Sequence, residues 1–294
     1  MRSKAYENLL QMLANQVPDW HSPISKLREN FETAAQLFMV GRDVRVEKTV
    51  LDGIPAEWLT PSNARTDRVL IYLHGGAYCI GSLNTHRALA SNLARSAKAR
   101  CVNVDYRLTP EHVFPAAVED GVKAYRSLMD EGVPARNIVI AGDSAGGGLA
   151  MATLLSLRDQ GVALPRGAVI ISPWTDLLGT GESVKTKASV DPILNPDALD
   201  FYAAMYCKGD MRDPLASPLY GDLTGLPPLL IQVGTDEILL DDATRLAERA
   251  NAVGVKVDLR IAEGMLHVWH LFASLVPEGE QGIDEAGEWV RNLF

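Results

Sequence analysis

The sequence predicts an α/β fold, in which a mostly parallel, eight-stranded sheet is flanked by helices and covered by a helical cap. Short β-branched apolar runs, such as residues 69–73 and 138–141, are typical of strands that are buried on both faces. A helical pattern rich in alanine and leucine follows over 149–157. The alternation of the two element types along the chain favours a parallel sheet between two helical layers.

The order of these elements predicts how the chain is divided. Strands are predicted near 44–50, 55–60, 69–73, 100–105, 137–142, 168–172, 228–233 and 257–262, with the first two forming an antiparallel hairpin. Apolar residues at helical spacing over 1–40 predict N-terminal cap helices, and 41–294 then form the main α/β domain. The long insert at 176–213 has its own helix around 198–207 and completes the cap, because inserts of this length are usually functional.

The run IVIAGDSAGG at 138–147 joins a strand, a serine between glycines and the start of a helix. This spacing predicts a nucleophile elbow, because the serine needs a strained turn and the flanking glycines let strand and helix approach closely. Ser144 is therefore the candidate nucleophile, at a helix N-terminus whose free N–H groups favour negative charge. A purely structural glycine-rich turn is the alternative.

A second glycine-containing loop, HGGA at 74–77, follows the strand at 69–73. Consecutive glycines let the backbone direct its N–H groups at the oxyanion that forms when a nucleophile attacks an ester carbonyl. The predicted oxyanion hole consists of the N–H groups of Gly75, Gly76 and Ala145, the last being the residue after the nucleophile. We expect His74 to anchor this loop through a hydrogen bond rather than to take part in catalysis.

These motifs, together with the run VDYRLTPEHVFPAAVED at 104–120, resemble the GDSAG branch of the hormone-sensitive lipase family, also called the bacterial family IV esterases. The resemblance implies an α/β-hydrolase fold with a cap, serine carboxylesterase activity, no cofactor or metal, and a Ser, Asp, His triad in that chain order. Two positions differ from the family pattern. This chain has Glu237 where the family often has proline after its acid, and Val268 where it often has glycine after its histidine.

The candidate acid follows the strand at 228–233. A carboxylate just beyond the carboxyl end of a parallel strand lies on the same sheet edge as the nucleophile, where α/β proteins place their catalysts. Asp236 occupies that position, and the family pattern selects it too. The alternatives are an ordinary helix N-cap role for Asp236, with Asp241 or Asp242 supplying the carboxylate instead.

The candidate base is selected by chain order. The histidines are His21, His74, His86, His112, His267 and His270. Only the last two follow the acid, as the order Ser, Asp, His requires. His267 lies on the loop after the strand at 257–262 and matches the G-M-x-H string of the family, so it is the predicted base. We expect His270 to be a partly buried neighbour.

Composition narrows the class of protein. The net charge of −9 argues against nucleic acid and anionic membranes as partners, since both attract basic patches. Cys79, Cys101 and Cys207 are odd in number and far apart, which predicts neither a disulfide framework nor a zinc site. The first residues lack the apolar segment of a signal peptide, so we expect a cytoplasmic protein.

Together, the motifs and the family resemblance predict a serine carboxylesterase that hydrolyses short- to medium-chain esters through an acyl-enzyme intermediate, with a small apolar ester as substrate. Aromatic and apolar side chains in the cap regions favour an apolar acyl or alcohol pocket. A lactone hydrolase or an amide-cleaving peptidase on the same fold is the alternative. A non-catalytic receptor for a small ligand is an alternative from another class. The oligomeric state stays open, with a homodimer among the candidates.

Overall fold

The computed structural model describes residues 2–14, 20 and 22–294, so part of the predicted N-terminal range, including His21, lies outside the described residues. The helices of the described residues are α1 (Lys4–Ala14), α2 (Ile24–Ala35), α3 (Leu83–Ala97), α4 (Ala116–Asp130), α5 (Ala145–Asp159), α6 (Ser183–Thr186), α7 (Pro196–Tyr206), α8 (Leu240–Ala252) and α9 (Pro277–Leu293). The strands are β1 (Val44–Leu51), β2 (Ile54–Pro61), β3 (Arg65–Leu73), β4 (Ala99–Val104), β5 (Ile138–Asp143), β6 (Gly167–Ile171), β7 (Leu229–Gly234) and β8 (Val257–Ala262).

The strands form one eight-stranded sheet in the order β1-β2-β4-β3-β5-β6-β7-β8. β1 pairs antiparallel with β2, and β2 pairs antiparallel with β4. The other pairs are parallel. The predicted fold class is therefore confirmed. The parallel register brings the carboxyl ends of β3, β5, β6 and β7 to one edge of the sheet, where the candidate residues follow their strands.

Two apolar layers cover the sheet, and alternate residues of each buried strand face opposite layers. On β5, Ile138 and Ile140 belong to the core that packs under α4, α5 and α8. Val139 and Ala141 belong to the core under α3 and α9. All four side chains are fully buried, which explains why this strand is continuously apolar in sequence instead of alternating.

The segments expected to form the cap meet each other through aromatic contacts. The insert at 176–213 lies between β6 and β7 and contains α6 and α7. On α7, the Tyr202 hydroxyl donates to the backbone oxygen of Trp20 over 2.8 Å, and the two rings meet edge to face at 6.2 Å. The division into cap and catalytic domain stays a prediction. Among the described residues, none of the helices has the length and apolar character that crossing a membrane requires.

Candidate active site

Ser144 occupies the turn between β5 and α5, with φ 53° and ψ −124°. Left-handed φ is uncommon for a non-glycine residue, so the surrounding contacts have to hold it. The Ser144 N–H donates to Ile171 O over 2.9 Å, and its carbonyl accepts from Trp174 N–H over 2.9 Å. The elbow predicted from the sequence is therefore present.

The two glycines of the motif are required by close packing. A Cβ on Gly142 would lie 2.2 Å from Gly146 O, and a Cβ on Gly146 would lie 2.0 Å from Leu73 O. Both distances are far below van der Waals contact with rigid backbone. A larger residue at either position would push the helix away from the sheet and move the serine.

His267 bridges the serine and a carboxylate. Its Nε2 lies 2.9 Å from Ser144 Oγ, and its Nδ1 lies 2.8 Å from Glu237 Oε2. The imidazole is 5% exposed and Glu237 is fully buried, so both hydrogen bonds are shielded from water. The structure thus brings together Ser144 and His267, as the sequence predicts.

The prediction that Asp236 faces the histidine is wrong. The Asp236 carboxylate bonds instead to the guanidinium of Arg2. Of the two adjacent acids, Glu237 therefore faces the imidazole and Asp236 binds Arg2. Glu237 was visible in the sequence as a second acid directly after Asp236, but nothing in the sequence indicated which of the two side chains faces the histidine.

Three hydrogen bonds fix the orientation of the Glu237 carboxylate. Its Oε1 accepts from Ser172 Oγ over 2.8 Å and from the N–H of Gly234 over 2.7 Å, while Oε2 faces His267. Ser172 Oγ also accepts from Val268 N–H over 3.2 Å and so links the acid to the histidine loop. The other two acids considered from sequence are occupied elsewhere, because Asp241 and Asp242 bond to backbone N–H groups of the insert and of 175–176.

The charges around the imidazole raise its basicity. Burial alone would lower the pKa of His267, but the negative charges around it, led by the hydrogen bond and charge of Glu237, together raise the pKa above its ordinary value. Asp191 and Asp143 add to the same effect at longer range. His270, the other candidate base, is fully buried against Gln232, and burial lowers its pKa to about 3.

One member of the predicted oxyanion hole is occupied by another contact. The N–H of Gly75 donates to Asp143 Oδ1 over 3.1 Å. The N–H groups of Gly76, Ala77 and Ala145 donate to no acceptor among the described residues. The prediction of Gly75 is therefore corrected: its N–H is fixed to the buried carboxylate, and the next two N–H groups of the loop are free together with that of Ala145. A carboxylate before the nucleophile was visible in sequence, but its contact with the loop was not.

The glycine loop rests on a buried polar cluster, which consists of His74, Tyr72, His86, Tyr106 and Asp143. Tyr72 donates to Asp143 Oδ1 over 2.6 Å, and His86 Nε2 lies 3.3 Å from Asp143 Oδ2. The rings of His74 and Tyr106 stack with their centres 4.3 Å apart, and the backbone carbonyl of His74 accepts a hydrogen bond from the Tyr106 hydroxyl. Burial lowers the pKa of His74 to about 3, which keeps it neutral and agrees with the anchoring role expected from sequence.

An acid and an arginine two residues apart at a strand end, such as Asp105 and Arg107, are typical of a structural ion pair, but these two side chains do not form one. Arg107 binds Asp120 and Glu119 at the start of α4 instead. Asp105 is half-buried, and burial raises its pKa. The ion pairs of Arg107 therefore attach this segment to α4 instead of joining two residues of the segment to each other. The spacing of the residues in the sequence could not show this.

Comparisons with known proteins identify the fold and the family of this chain. The sequence profile of a family with the α/β hydrolase fold matches residues 70–271. The structure of an esterase from the bacterial hormone-sensitive lipase family superposes with a TM-score of 0.96 at 44% identity, over 100% of this chain and 99% of that one. The chain belongs to the hormone-sensitive lipase family of α/β hydrolases.

Two further relatives indicate the enzyme class. An acetyl-hydrolase from Streptomyces hygroscopicus is 49% identical over 80% of this chain and 79% of its own length. The esterase EstE5, in a crystal soaked with p-nitrophenyl butyrate, has a TM-score of 0.96 at 44% identity, with 99% of both chains covered. This member of the hormone-sensitive lipase family is a carboxylic ester hydrolase.

Proposed function

We propose that the protein hydrolyses small carboxylic esters through a triad of Ser144, His267 and Glu237. The observation that carries the proposal is the unbroken hydrogen-bond chain from Ser144 Oγ through both ring nitrogens of His267 to Glu237 Oε2. His267 accepts the serine proton as Oγ attacks the ester carbonyl. Glu237 keeps Nδ1 protonated and stabilises the imidazolium that forms.

The reaction then proceeds through an acyl-enzyme. The tetrahedral oxyanion accepts hydrogen bonds from the free N–H groups of Gly76, Ala77 and Ala145. The carbon–oxygen bond to the alcohol breaks as His267 returns its proton to the leaving oxygen. Water, deprotonated by the same histidine, attacks the acyl carbon and releases the acid and the free Ser144 hydroxyl.

We propose short to medium acyl chains as the preferred substrates. Two buried aromatic residues lie next to the elements that carry the site: Trp174 adjoins Ser144 through a backbone hydrogen bond, and Tyr78 follows the glycine loop. Tyr78 also stacks face to face on Tyr206 of α7 at 3.7 Å. Relatives named for acetyl hydrolysis or soaked with a butyrate ester support the same size range.

The test is a series of p-nitrophenyl esters of rising acyl length, assayed beside lactones and peptides. We expect kcat/KM to peak at about four to eight carbons, because each buried CH₂ contributes about 0.8 kcal/mol until the pocket is filled. Ser144→Ala should fold normally and lose on the order of 10⁴-fold in kcat. Retention of a tenth of the rate by this variant would refute the proposed nucleophile, and faster lactone or peptide cleavage would reassign the substrate class.

A further inference from the structure

The N-terminal helix α1 packs directly on the loop that carries the catalytic histidine. Its buried side chains Tyr6 and Leu9 form an apolar cluster with Met265 and Leu266. These two loop residues lie between the end of β8 and His267. The insert reaches the same cluster through Ile193. This helix therefore contacts both the base-bearing loop and the insert at 176–213.

Tyr6 makes the contact closest to the base. The backbone N–H of Leu266, the residue before His267, donates to the Tyr6 hydroxyl over 2.7 Å. The tyrosine is fully buried, although it lies 260 residues away in sequence. A buried N–H without an acceptor is costly, so this hydroxyl fixes where the peptide before the histidine can lie.

Arg2 holds the preceding part of the same loop. Its Nε donates to Gly264 O over 2.9 Å, and its guanidinium also binds the Asp236 carboxylate. Ser3 next to it is fixed by Glu278 of α9, with its N–H 2.5 Å from Oε1 and its hydroxyl 3.0 Å from Oε2. The start of α1 is thus bound to the histidine loop, the acid loop and α9 at once.

The histidine loop needs such support because its own backbone is strained. Val268, the residue after the base, has φ 49° and ψ 47°, a left-handed conformation that a β-branched residue rarely adopts. Ser172 holds this residue from the sheet side through the Val268 N–H. Tyr6 holds the residue on the other side of the histidine, so the imidazole lies between two fixed peptide groups.

We propose that Tyr6 is a positioning residue for His267, and that Arg2 and Asp236 fasten the helix that carries it. The inference rests on the proposed function, since it takes His267 as the base. It gives residues 2–14 a role in the chemical step, separate from substrate selection by the cap. It also gives Asp236 a task that explains an acid at the position beside Glu237.

The test compares Tyr6→Phe with the matched control Tyr125→Phe. Tyr125 is also a buried tyrosine whose hydroxyl has one backbone partner, Ala163 O at 2.7 Å, but it lies on α4 away from the site. Tyr6→Phe should lower kcat about tenfold or more with KM within twofold, because a displacement of a catalytic group by about 1 Å can lower the rate on the order of 100-fold. Tyr125→Phe should lose a similar amount of thermal stability and keep kcat.

A second variant keeps the proposal testable if Tyr6→Phe does not fold. Arg2→Ala, at a partly exposed position, should fold and lower kcat severalfold with KM unchanged. Unchanged kcat in a folded Tyr6→Phe, or equal losses in both tyrosine variants, would overturn the inference. If Tyr6→Phe does not fold, unchanged kcat in Arg2→Ala would overturn it as well. Ser144→Ala, assayed in parallel, distinguishes failure of the positioning role from failure of the proposed function. If Ser144→Ala is inactive and Tyr6→Phe keeps the wild-type kcat, only the positioning role of Tyr6 is refuted.

Discussion

Glu237→Gln tests the assignment of the acid, with Asp236→Asn as the matched variant one residue away. In Glu237→Gln, two donors, Ser172 Oγ and Gly234 N–H, still point at the position of Oε1. The amide oxygen will occupy that side, which leaves the amide NH₂ facing His267 Nδ1. Nδ1 must then accept instead of donate, so the proton moves to Nε2 and the imidazole cannot take the serine proton.

The expected loss in kcat for Glu237→Gln is about 10³ to 10⁴-fold, the cost of a triad histidine held in the wrong tautomer. Asp236→Asn weakens only a partly exposed ion pair with Arg2, which is worth at most about 1 kcal/mol, so we expect a loss below about tenfold. Steady-state hydrolysis of p-nitrophenyl butyrate by both variants, after thermal melts show that both are folded, measures the ratio. Equal losses, or a larger loss in Asp236→Asn, would refute the assignment of Glu237.

The remaining predictions concern pH, stability and the physical state of the substrate. Because Glu237 raises the pKa of His267, kcat/KM should rise with pH through one ionisation above about 6.5; a flat profile between pH 5 and 8 would exclude His267 as the base. Burial raises the pKa of Asp242 from 3.8 to about 7, so its stabilising protonated form is lost as pH rises through about 7. The melting temperature of Asp242→Asn relative to wild type should therefore increase between pH 5 and pH 8, and an unchanged difference would contradict this. With long-chain triglycerides we expect no jump in rate at the solubility limit, and a jump measured by pH-stat titration would favour an interfacial lipase.

The fold was predictable because its signals are local and periodic. Strands such as β5 and β7 are short apolar runs between glycines, prolines and helical patterns, and each lies within a few residues of its predicted position. The run of ten residues around Ser144 contains both a strand pattern and the start of a helix. Its strain and its glycine contacts follow from the close approach of strand and helix, which the G-x-S-x-G spacing already encodes.

The acid was not predictable at single-residue precision. Asp236 and Glu237 both follow β7, and chain position alone cannot tell which side chain turns toward the histidine. The decision depends on long-range contacts: Arg2 binds Asp236 from 234 residues away, and Ser172 binds Glu237 from 65 residues away. No pattern within one segment contains that information.

The N–H donors of the oxyanion loop could not be predicted from the sequence for a similar reason. The glycines of HGGA predicted a turn with free N–H groups, and the turn exists, but the choice among those groups depends on Asp143. That carboxylate is held at the loop by Tyr72 and His86, which come from a neighbouring strand and from α3. Because the buried cluster binds the Gly75 N–H, the pair of free donors shifts by one residue along the loop, from Gly75 and Gly76 to Gly76 and Ala77.

The most direct test of the central claim is to trap the nucleophile with phenylmethylsulfonyl fluoride and to locate the label by peptide mass spectrometry. A serine activated by His267 should be sulfonylated at about one group per chain, on the peptide that contains Ser144, with activity lost in proportion to labelling. Glu237→Gln should be labelled far more slowly than wild type, and Asp236→Asn at a rate within about tenfold of wild type. Stoichiometric labelling at another residue, or full activity in a chain labelled at Ser144, would contradict the account.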